Sequence, residues 1–258
     1  MKIIRQPNVY LIGRPSMDAD ELARFLKDHE VPDWKTDTSN AAEALPEVAG
    51  RVCYMSFAKP RPGGNRAYLE HIKEVAHGSV LEHSVWNFLI TGVSRSFTHE
   101  LVRHRAGFGY SQLSQRYVDE AKGDFVEPDC IADDAELHAI WLAAVEQAQQ
   151  AYVRLVTRLQ DKFAEVEDKT LRRKLARQAA RSVLPNATET KIFVTANARA
   201  WRHFIELRCN EHAETEIRIV AAQILEILQR EAPSLFGDYE LAPLPDGTRA
   251  ARTSFRKV

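Results

Sequence analysis

A strand predicted to be well buried leads directly into a stretch of the chain that has no acidic residues. Residues 84–93 alternate large apolar side chains with Val, Asn and Thr, which is typical of a strand in a sheet core. Ser94 then has the side chain and the position of a helix N-cap, so we expect a helix from there to about Arg105. Gly107 and Gly109 should end that helix and place the polar residues that follow on a loop.

Residues 101–118 contain neither aspartate nor glutamate. They hold Arg-His-Arg at 103–105 and, beyond the glycines, Ser-Gln-Leu-Ser-Gln-Arg at 111–116. Guanidinium, hydroxyl and carboxamide groups in one place suit a phosphate and a uracil-like ring. A basic, solvent-exposed helix surface is the structural alternative. Ser114 is not expected to be a hydrolytic nucleophile, because no GxSxG turn surrounds it.

Two histidine clusters suggest metal sites at first sight. His99-Glu100 followed by His104 nearly spells the zinc motif HExxH, but the second histidine comes one residue late. Five residues turn a helix by about 140°, so the two imidazoles would not share one ion. His77 and the pair at 82–83 form the other cluster, without a fourth ligand. We therefore expect no metal.

Composition narrows the class of protein. The 258 residues are 45% hydrophobic and carry a net charge of -1, which is enough for a substantial core and argues against nucleic-acid binding. We expect neither a signal peptide nor a membrane span, because no apolar stretch is long enough. Cys53, Cys130 and Cys209 form no CxxC pair, which favours a cytoplasmic location.

The remaining patterns predict one complex α+β domain over residues 1–258, with a central antiparallel sheet and flanking helices. A doubly wound fold is disfavoured, because no glycine-rich phosphate loop follows the first strand. The tail from about Leu241 is expected to be partly disordered. The predicted strands are 2–12, 84–93 and 189–195; the predicted helices are 18–29, 66–76, 94–105, 133–163, 169–184, 198–207 and 214–231; residues 60–65 are predicted to form a loop.

The chain resembles the flavin-dependent thymidylate synthases. Arg-His-Arg at 103–105, a short spacer and Ser-x-Arg-Tyr from Ser114 are similar to the signature of that family. Further similar blocks follow in the same order and extend the resemblance over residues 48–232. These blocks are His77-Gly-Ser79-Val-Leu-Glu82-His83, Gly92-Val-Ser-Arg95, His99-Glu100-Leu-Val-Arg103, Ala180-Arg181-Ser-Val-Leu-Pro185, Asn197-Ala-Arg199, and Leu207-Arg208 with His212.

The resemblance implies an activity and its cofactors. The protein would methylate the uracil C5 of dUMP to give dTMP, with methylenetetrahydrofolate as carbon donor and reduced FAD as hydride donor. NADPH would reduce the flavin, and no cysteine nucleophile would be needed. The partners would be small molecules and further copies of the chain, because the family builds its sites at subunit interfaces of a homotetramer.

The resemblance also implies roles for single residues. Arg208 would be catalytic, because the family's counterpart pairs with the uracil edge and favours ionisation at N3. The flavin-binding positions would be Ser79, Arg103, His104, Arg105, Gln112, Asn197, Arg199, His203 and His212. The nucleotide-binding positions would be His77, Glu100, Arg103, Gln112, Ser114, Gln115, Arg116, Arg181 and Arg208.

Helix geometry supports shared sites. Arg199 and Arg208 lie about 180° apart around one unbroken helix, so they hardly serve one pocket of one subunit. If the helix continues further, Arg208 and His212 fall on one side of it.

Two features depart from the family pattern. The spacer between Arg-His-Arg and Ser114 is one residue longer, and Glu100 stands where members commonly carry glutamine. Both leave a methylase of UMP, or of UMP and dUMP, open as an alternative. A non-catalytic nucleotide- or flavin-binding relative is a second alternative.

Overall fold

The structure is a computed structural model that describes residues 1–59 and 62–258. Within these ranges every helix is too short or too polar to cross a bilayer. The helices are α1 (Ala19–Asp28), α2 (Ala41–Tyr54), α3 (Gly64–Glu74), α4 (Arg95–Leu101), α5 (Asp129–Ala132), α6 (Ala135–Lys162), α7 (Lys169–Ala180), α8 (Ala198–Arg208), α9 (Thr215–Glu231) and α10 (Pro233–Phe236). The strands are β1 (Ile3–Ile4), β2 (Asn8–Gly13), β3 (Val85–Ser94), β4 (Phe108–Gln112), β5 (Phe125–Val126), β6 (Glu189–Asn197), β7 (Glu240–Pro243) and β8 (Arg249–Arg252).

The largest sheet has the strand order β2-β3-β6-β4 and is antiparallel. Strand β1 pairs in parallel with β5, and β7 pairs antiparallel with β8. The mixture of helices with an antiparallel sheet confirms the predicted α+β class. Residue contacts divide the chain into two compact units: unit 1 comprises residues 1–8, 90–103 and 110–193, and unit 2 comprises residues 9–89, 104–109 and 194–258.

Two long helices contribute much of unit 1. Helix α6 begins after Asp134, whose carboxylate accepts hydrogen bonds from N–H groups of the first turn. Tyr152 and Val156 of α6 form a small apolar core with Ala180 of α7. Helix α7 is shorter than predicted, because it gives way to a 3₁₀ turn after Ala180. Pro185 explains the early end, since the residue before a proline is disfavoured in the helical conformation.

Helices α8 and α9 bury most of their apolar side chains in unit 2. Trp201 and Phe204 of α8 are completely buried. The Trp201 ring packs edge-on against Phe88 and Phe108, each at 5.2 Å between ring centroids. The predicted helices over 198–207 and 214–231 are therefore confirmed.

Helix α2 was not predicted from the sequence. It begins after Asn40, whose side chain accepts a hydrogen bond from the N–H of Ala42, and it contains Pro46 and Gly50. Both residues disfavour a helix interior on local grounds. Tertiary packing outweighs that preference: a Cβ on Gly50 would come within 2.1 Å of the Tyr68 hydroxyl. The glycine is needed for this close contact.

Boundaries near the N-terminal half also differ from prediction. The strand expected over 2–12 is divided into β1 and β2, and Pro7 lies between them without an N–H to donate to a ladder. Helix α3 begins at Gly64, earlier than the predicted Arg66. The loop predicted over 60–65 falls partly on Pro60 and Arg61, which lie outside the described residues.

The segment after β3 requires two corrections. Ser94 caps helix α4 as predicted, by accepting a hydrogen bond from the N–H of Phe97 at 3.1 Å. The helix ends at Leu101, however, and not near Arg105. Residues 108–112 form strand β4 where a loop was expected, because the sheet supplies hydrogen-bond partners that local sequence does not reveal.

The C-terminal tail forms a hairpin, although its composition suggested partial disorder from Leu241. Strand β7 pairs with β8 over four residues on each side. The N–H of Ala251 donates to the carbonyl of Cys209 at 2.7 Å, which attaches the hairpin to the end of α8. These long-range hydrogen bonds order a segment whose own residues indicated no regular structure.

Asp238 joins buried cations within unit 2. Its two carboxylate oxygens each accept a hydrogen bond from Arg202 at 2.8 Å, and one also accepts from Lys73 at 2.9 Å. Burial raises the pKa of Asp238, but the hydrogen bonds and charge of Arg202, with Thr253 and Lys73, lower it to about 2. The resulting stabilisation is present above the ordinary value of 3.8 and is lost as the pH falls through about 2.

We predict that Asp238→Asn lowers the free energy of unfolding by about 3–5 kcal/mol, because Arg202 and Lys73 would stay buried without a counter-charge. Urea denaturation at neutral pH measures the loss. Glu21→Gln is the matched control, because it removes an exposed carboxylate that pairs with the exposed Arg24, and it should cost less than about 1 kcal/mol. Equal losses for both variants would contradict the prediction.

Candidate active site

Unit 1 presents two buried nitrogen donors in the Ser-Gln-Arg segment. Gln115 is only 5% exposed. Its Nε2 and the Nε of Arg116 find no hydrogen-bond partner within residues 1–59 and 62–258. Buried donors are normally paired, so an acceptor from a ligand is the simplest partner for both. A phosphate has the oxygen atoms that such a pair of donors requires.

The segment around these donors is a tight turn. The Ser114 hydroxyl accepts a hydrogen bond from the N–H of Arg116 at 3.4 Å, and the Ser114 carbonyl accepts from the N–H of Tyr117 at 3.1 Å. The N–H of Leu113 donates to the carbonyl of Lys191 at 2.9 Å. These bonds fix the backbone that carries the predicted nucleotide-binding residues 114–116.

Gln112 lies at the end of β4. Its Nε2 donates to the hydroxyls of Thr98 and Thr190 at 3.1 and 3.3 Å. The carboxamide is therefore oriented by two neighbouring elements of unit 1, α4 and β6. The sequence proposed Gln112 for both ligands without any sign of these threonine partners.

A second cationic group of unit 1 lies around Arg181. Burial lowers the pKa of Arg95, and the nearby charge of Arg181 lowers it further. Glu120 lies close enough to Arg95 for its negative charge to raise the pKa of Arg95 in part. Burial and the negative charge of Glu189 raise the pKa of Glu120 itself. Two arginines close enough to repel each other indicate a place where an anion would be stabilised. The sequence named Arg95 only within the block Gly92-Val-Ser-Arg95, because the approach of Arg181 is a tertiary contact.

Arg103 and Glu100 fall in different local structures. Glu100 is half-buried near the end of α4, whereas Arg103 is exposed beyond that helix. The prediction that the helix after Ser94 extends to about Arg105, and so includes Arg103, is therefore wrong. The helix stops at Leu101, and the N–H of Arg103 donates to the carbonyl of Glu100 at 3.3 Å in the turn that follows.

Unit 2 contains a pocket of about 480 Å³ at the start of α8. Asn197 caps this helix by accepting a hydrogen bond from the N–H of Ala200 at 2.9 Å. Gly107 has a φ of +76°, and a Cβ there would come within 3.0 Å of the Asn197 carboxamide. The glycine therefore allows the loop before β4 to lie against the helix start. Backbone N–H groups at such a start favour an anion.

Two charged side chains lie at the pocket. Arg199 donates to Glu82 at 2.7 Å, and both are about half exposed, at 44% and 47%. A Cβ on Gly78 would come within 2.9 Å of the Arg199 Nε, so the glycine permits this approach. The structure brings together three predicted flavin-binding residues here: Asn197, Arg199 and His203.

The C-terminal segment also lines this pocket through Phe255, Lys257 and Val258. Arg202 holds the segment by donating to the carbonyl of Phe255 at 3.0 Å. Glu206 accepts from the N–H of Lys257 at 3.0 Å. Sequence reasoning missed these residues, because nothing in a tail that suggested disorder indicates contact with α8.

His104 is buried between flanking arginines that are exposed. Its Nε2 accepts a hydrogen bond from the Nε of Arg208 at 3.0 Å. Burial lowers the pKa of His104 to about 4, with smaller contributions from the positive charges of Arg208 and His203. The imidazole is therefore neutral at physiological pH.

Arg199 and Arg208 lie on opposite sides of α8, as predicted. The helix is continuous from Ala198 to Arg208, so the two side chains are about 180° apart. The helix does not continue to His212, so the expected pairing of Arg208 with His212 along one helix is wrong. His212 is 87% exposed beyond the cap.

Two other predicted residues, His77 and Ser79, are exposed at the start of the 3₁₀ turn that spans Gly78–His83. Glu82, in the same 3₁₀ turn, lines the pocket and accepts a hydrogen bond from Arg199. No group of three or more His, Cys, Asp or Glu side chains is arranged for a metal ion in the part of the chain that the structure describes.

Comparison with known proteins identifies the family that the chain resembles. The profile described as thymidylate synthase complementing protein matches residues 36–234. The flavin-dependent thymidylate synthase of Mycobacteroides abscessus is 54% identical over 221 residues, which cover 85% of this chain and 88% of that protein. The protein of the same name from Mycobacterium avium is 53% identical over 229 residues, which cover 88% and 90%.

A solved structure shares the fold. It is the UMP/dUMP methylase PolB from Streptomyces cacaoi bound with 5-Br dUMP, which matches with a TM-score of 0.64 and 22% identity. The match covers 92% of this chain and 96% of that chain. The profile match and the identity to curated relatives show that this chain belongs to the thymidylate synthase complementing protein family, that of the flavin-dependent thymidylate synthases.

Proposed function

We propose that this protein methylates the uracil C5 of dUMP to give dTMP. Methylenetetrahydrofolate is the carbon donor, FAD is the cofactor and NADPH is the reductant. The observation that carries the proposal is the pair of buried donors on Gln115 and Arg116 in a member of this family. The reaction is placed in the cytoplasm, consistent with cysteines that form no disulfide framework.

Unit 1 supplies most of the nucleotide site in this proposal. Gln115 and Arg116 donate to the phosphate of dUMP, together with the Ser114 hydroxyl. Arg181 adds a second guanidinium, with its neighbour Arg95 increasing the local positive charge. Gln112, Glu100 and Arg103 contact the nucleoside part, and His77 is a further residue proposed to bind the nucleotide.

Unit 2 supplies most of the flavin site. The pocket at α8 has a helix start, a cationic Arg199 and a glycine-lined wall, which suit the pyrophosphate of FAD. The residues proposed to bind it are Ser79, Arg103, Arg105, Gln112, Asn197, Arg199, His203 and His212. When bound, FAD supplies the hydride that completes the transferred one-carbon unit as a methyl group.

Arg208 is proposed as the catalytic residue. Its guanidinium donates to the uracil edge and stabilises the negative charge that develops when N3 loses its proton. A cysteine nucleophile is not used. Burial raises the pKa of Cys209 to about 11, so its thiol stays protonated at neutral pH. Cys53 and Cys130 are exposed, and neither is among the residues proposed to bind the nucleotide or the flavin.

A homotetramer with shared sites completes the proposal. Arg199 and Arg208 occupy opposite sides of α8 and are both assigned to ligands, so one helix would serve two sites. Residues of different protomers would then meet at one flavin.

A second candidate is a methylase that accepts UMP as well as dUMP. Glu100 carries only acceptor atoms when ionised, and a ribose 2'-hydroxyl is a donor that such a carboxylate can bind. The named activity of the fold relative PolB is of this kind. A non-catalytic relative that binds nucleotide or flavin is the third candidate, and the same turnover assay separates it from both.

Formation of dTMP from dUMP, methylenetetrahydrofolate, FAD and NADPH tests the function, and Arg116→Lys tests the nucleotide site. We expect this variant to lose about 10- to 100-fold in kcat/KM for dUMP, because lysine has no Nε donor and no planar fork. Arg173→Lys is the control, since Arg173 is an exposed residue of α7. No dTMP from the wild type would refute the activity, and an unaffected Arg116 variant would refute the site.

Arg199→Ala should release the flavin, because it removes the cation at the start of α8. The measurement is the flavin absorbance that remains with the protein after gel filtration, compared with the wild type. Arg256→Ala is the matched control, since Arg256 pairs with Glu206 but is 68% exposed. Full flavin occupancy in the Arg199 variant would rule out its proposed role.

Glu100→Gln should raise the preference for dUMP over UMP at least several-fold, because the amide replaces an acceptor of the 2'-hydroxyl with a donor. A hydroxyl contact at a buried site is worth about 1–3 kcal/mol, which corresponds to about 5- to 150-fold. The ratio of kcat/KM for the two nucleotides measures this change. Glu146→Gln, an exposed change on α6, is the control. An unchanged ratio would mean that Glu100 does not distinguish the sugars.

A further inference from the structure

The guanidinium of Arg208 is held by a histidine. Its Nε donates to the Nε2 of His104 at 3.0 Å, and both residues belong to unit 2. We infer that His104 is a positioning residue, which orients the catalytic Arg208 by accepting this hydrogen bond. The inference rests on the proposed function, because it assigns His104 a task in the same site. It differs from a direct contact with the flavin, the role that resemblance alone suggested.

The imidazole has a fixed place. His104 is 7% exposed. Its ring lies 5.2 Å from the Phe204 ring and 5.8 Å from the Phe108 ring, both measured between centroids. His203 approaches at 6.0 Å from a third side. Aromatic neighbours on several sides limit the rotation of the ring, so its acceptor atom keeps one direction.

The position of Arg208 explains why its side chain needs a partner such as His104 to restrict its orientation. It is the last residue of α8, and Cys209 already has the cap conformation. A side chain at a helix end has no neighbour one turn further along the helix to restrict it. The residue one turn back is Phe204, on which His104 packs. His104 therefore takes the place beside the last turn that a helical neighbour would otherwise occupy.

The hydrogen bond determines the protonation state of His104. An arginine Nε can only donate, so the histidine Nε2 must accept, and the imidazole must carry its single proton on Nδ1. Burial and the charges of Arg208 and His203, both on α8, lower the pKa of His104 to about 4. On its own loop, the exposed Arg105 adds a further positive charge. The bond is therefore kept at neutral pH and is lost only as the pH falls through about 4.

Four variants test the positioning role. His104→Phe keeps a flat ring without an acceptor, whereas His104→Gln keeps an acceptor in its carboxamide oxygen. Arg208→Lys removes the Nε donor and retains the positive charge. His71→Phe is the control, because His71 is 36% exposed on α3 and pairs only with a surface glutamate in the described structure.

We expect His104→Phe to lower kcat by about 10- to 100-fold, the effect of losing one hydrogen bond to a charged group. His104→Gln should restore most of this loss, and His71→Phe should have no effect. In the Arg208→Lys background, His104→Phe should change kcat by less than about twofold, since the bond is already absent. Equal losses in both backgrounds would overturn the inference.

Two measurements do not depend on turnover. Nitrogen NMR of the flavin-free wild type should show His104 neutral at pH 7 with its proton on Nδ1; a proton on Nε2 would overturn the inference. Flavin absorbance should persist in His104→Phe; its loss there, with retention in Arg208→Lys, would assign His104 to the cofactor instead. If the wild type forms no dTMP, the proposed function fails, and the NMR result still decides the state of His104.

Discussion

The ion pair between Arg202 and Asp238 is the interaction on which unit 2 depends most. Arg202 is 2% exposed in the middle of α8, and its guanidinium donates to Asp238, to the carbonyl of Leu235 and to that of Phe255. One side chain thereby connects α8 to α10 and to the C-terminal segment. These acceptors offset part of the cost of burying the guanidinium, although its Nε has no hydrogen-bond partner among the described residues. Because α8 carries Arg199, His203 and Arg208, the orientation of the candidate site follows from this buried contact.

Capping residues and helix and strand propensities predicted the elements in which local preference and tertiary packing favour the same conformation. The cap at Ser94 was predictable because a short polar side chain there follows a strand and precedes a helical segment. The sequence could not reveal α2, since Pro46 and Gly50 contradict a helix until the packing around them is known. Strand β4 was not predicted for a similar reason: it is short and contains Gly109, and its extended form depends on hydrogen bonds within the sheet.

The candidate site was predictable in composition but not in arrangement. The Ser-Gln-Arg segment and the Asn197 cap were recognisable as polar clusters along the chain. The hydrogen bond between Arg208 and His104 joins residues 104 positions apart, and no periodicity indicates it. The same holds for the approach of Arg95 to Arg181 and for the C-terminal wall of the pocket. The resemblance to a known family identified most of these residues. Which residues each of them contacts follows only from the tertiary structure.

The two kinds of arginine in this protein have different consequences for affinity. The two terminal nitrogens of Arg202 donate to Asp238 and to backbone carbonyls, so a ligand could recruit them only by breaking bonds that stabilise the fold; only its buried Nε has no partner in the described part of the chain. The Nε of Arg116 and the Nε2 of Gln115 have no such bonds to exchange among the residues that the structure covers. A phosphate oxygen placed there gains two hydrogen bonds from donors already withdrawn from bulk water, each worth about 1.5–3 kcal/mol when the acceptor is charged. In the proposed nucleotide site, selectivity for an anion would therefore come from buried donors that the fold leaves to the ligand, rather than from the net charge of the chain, which is -1.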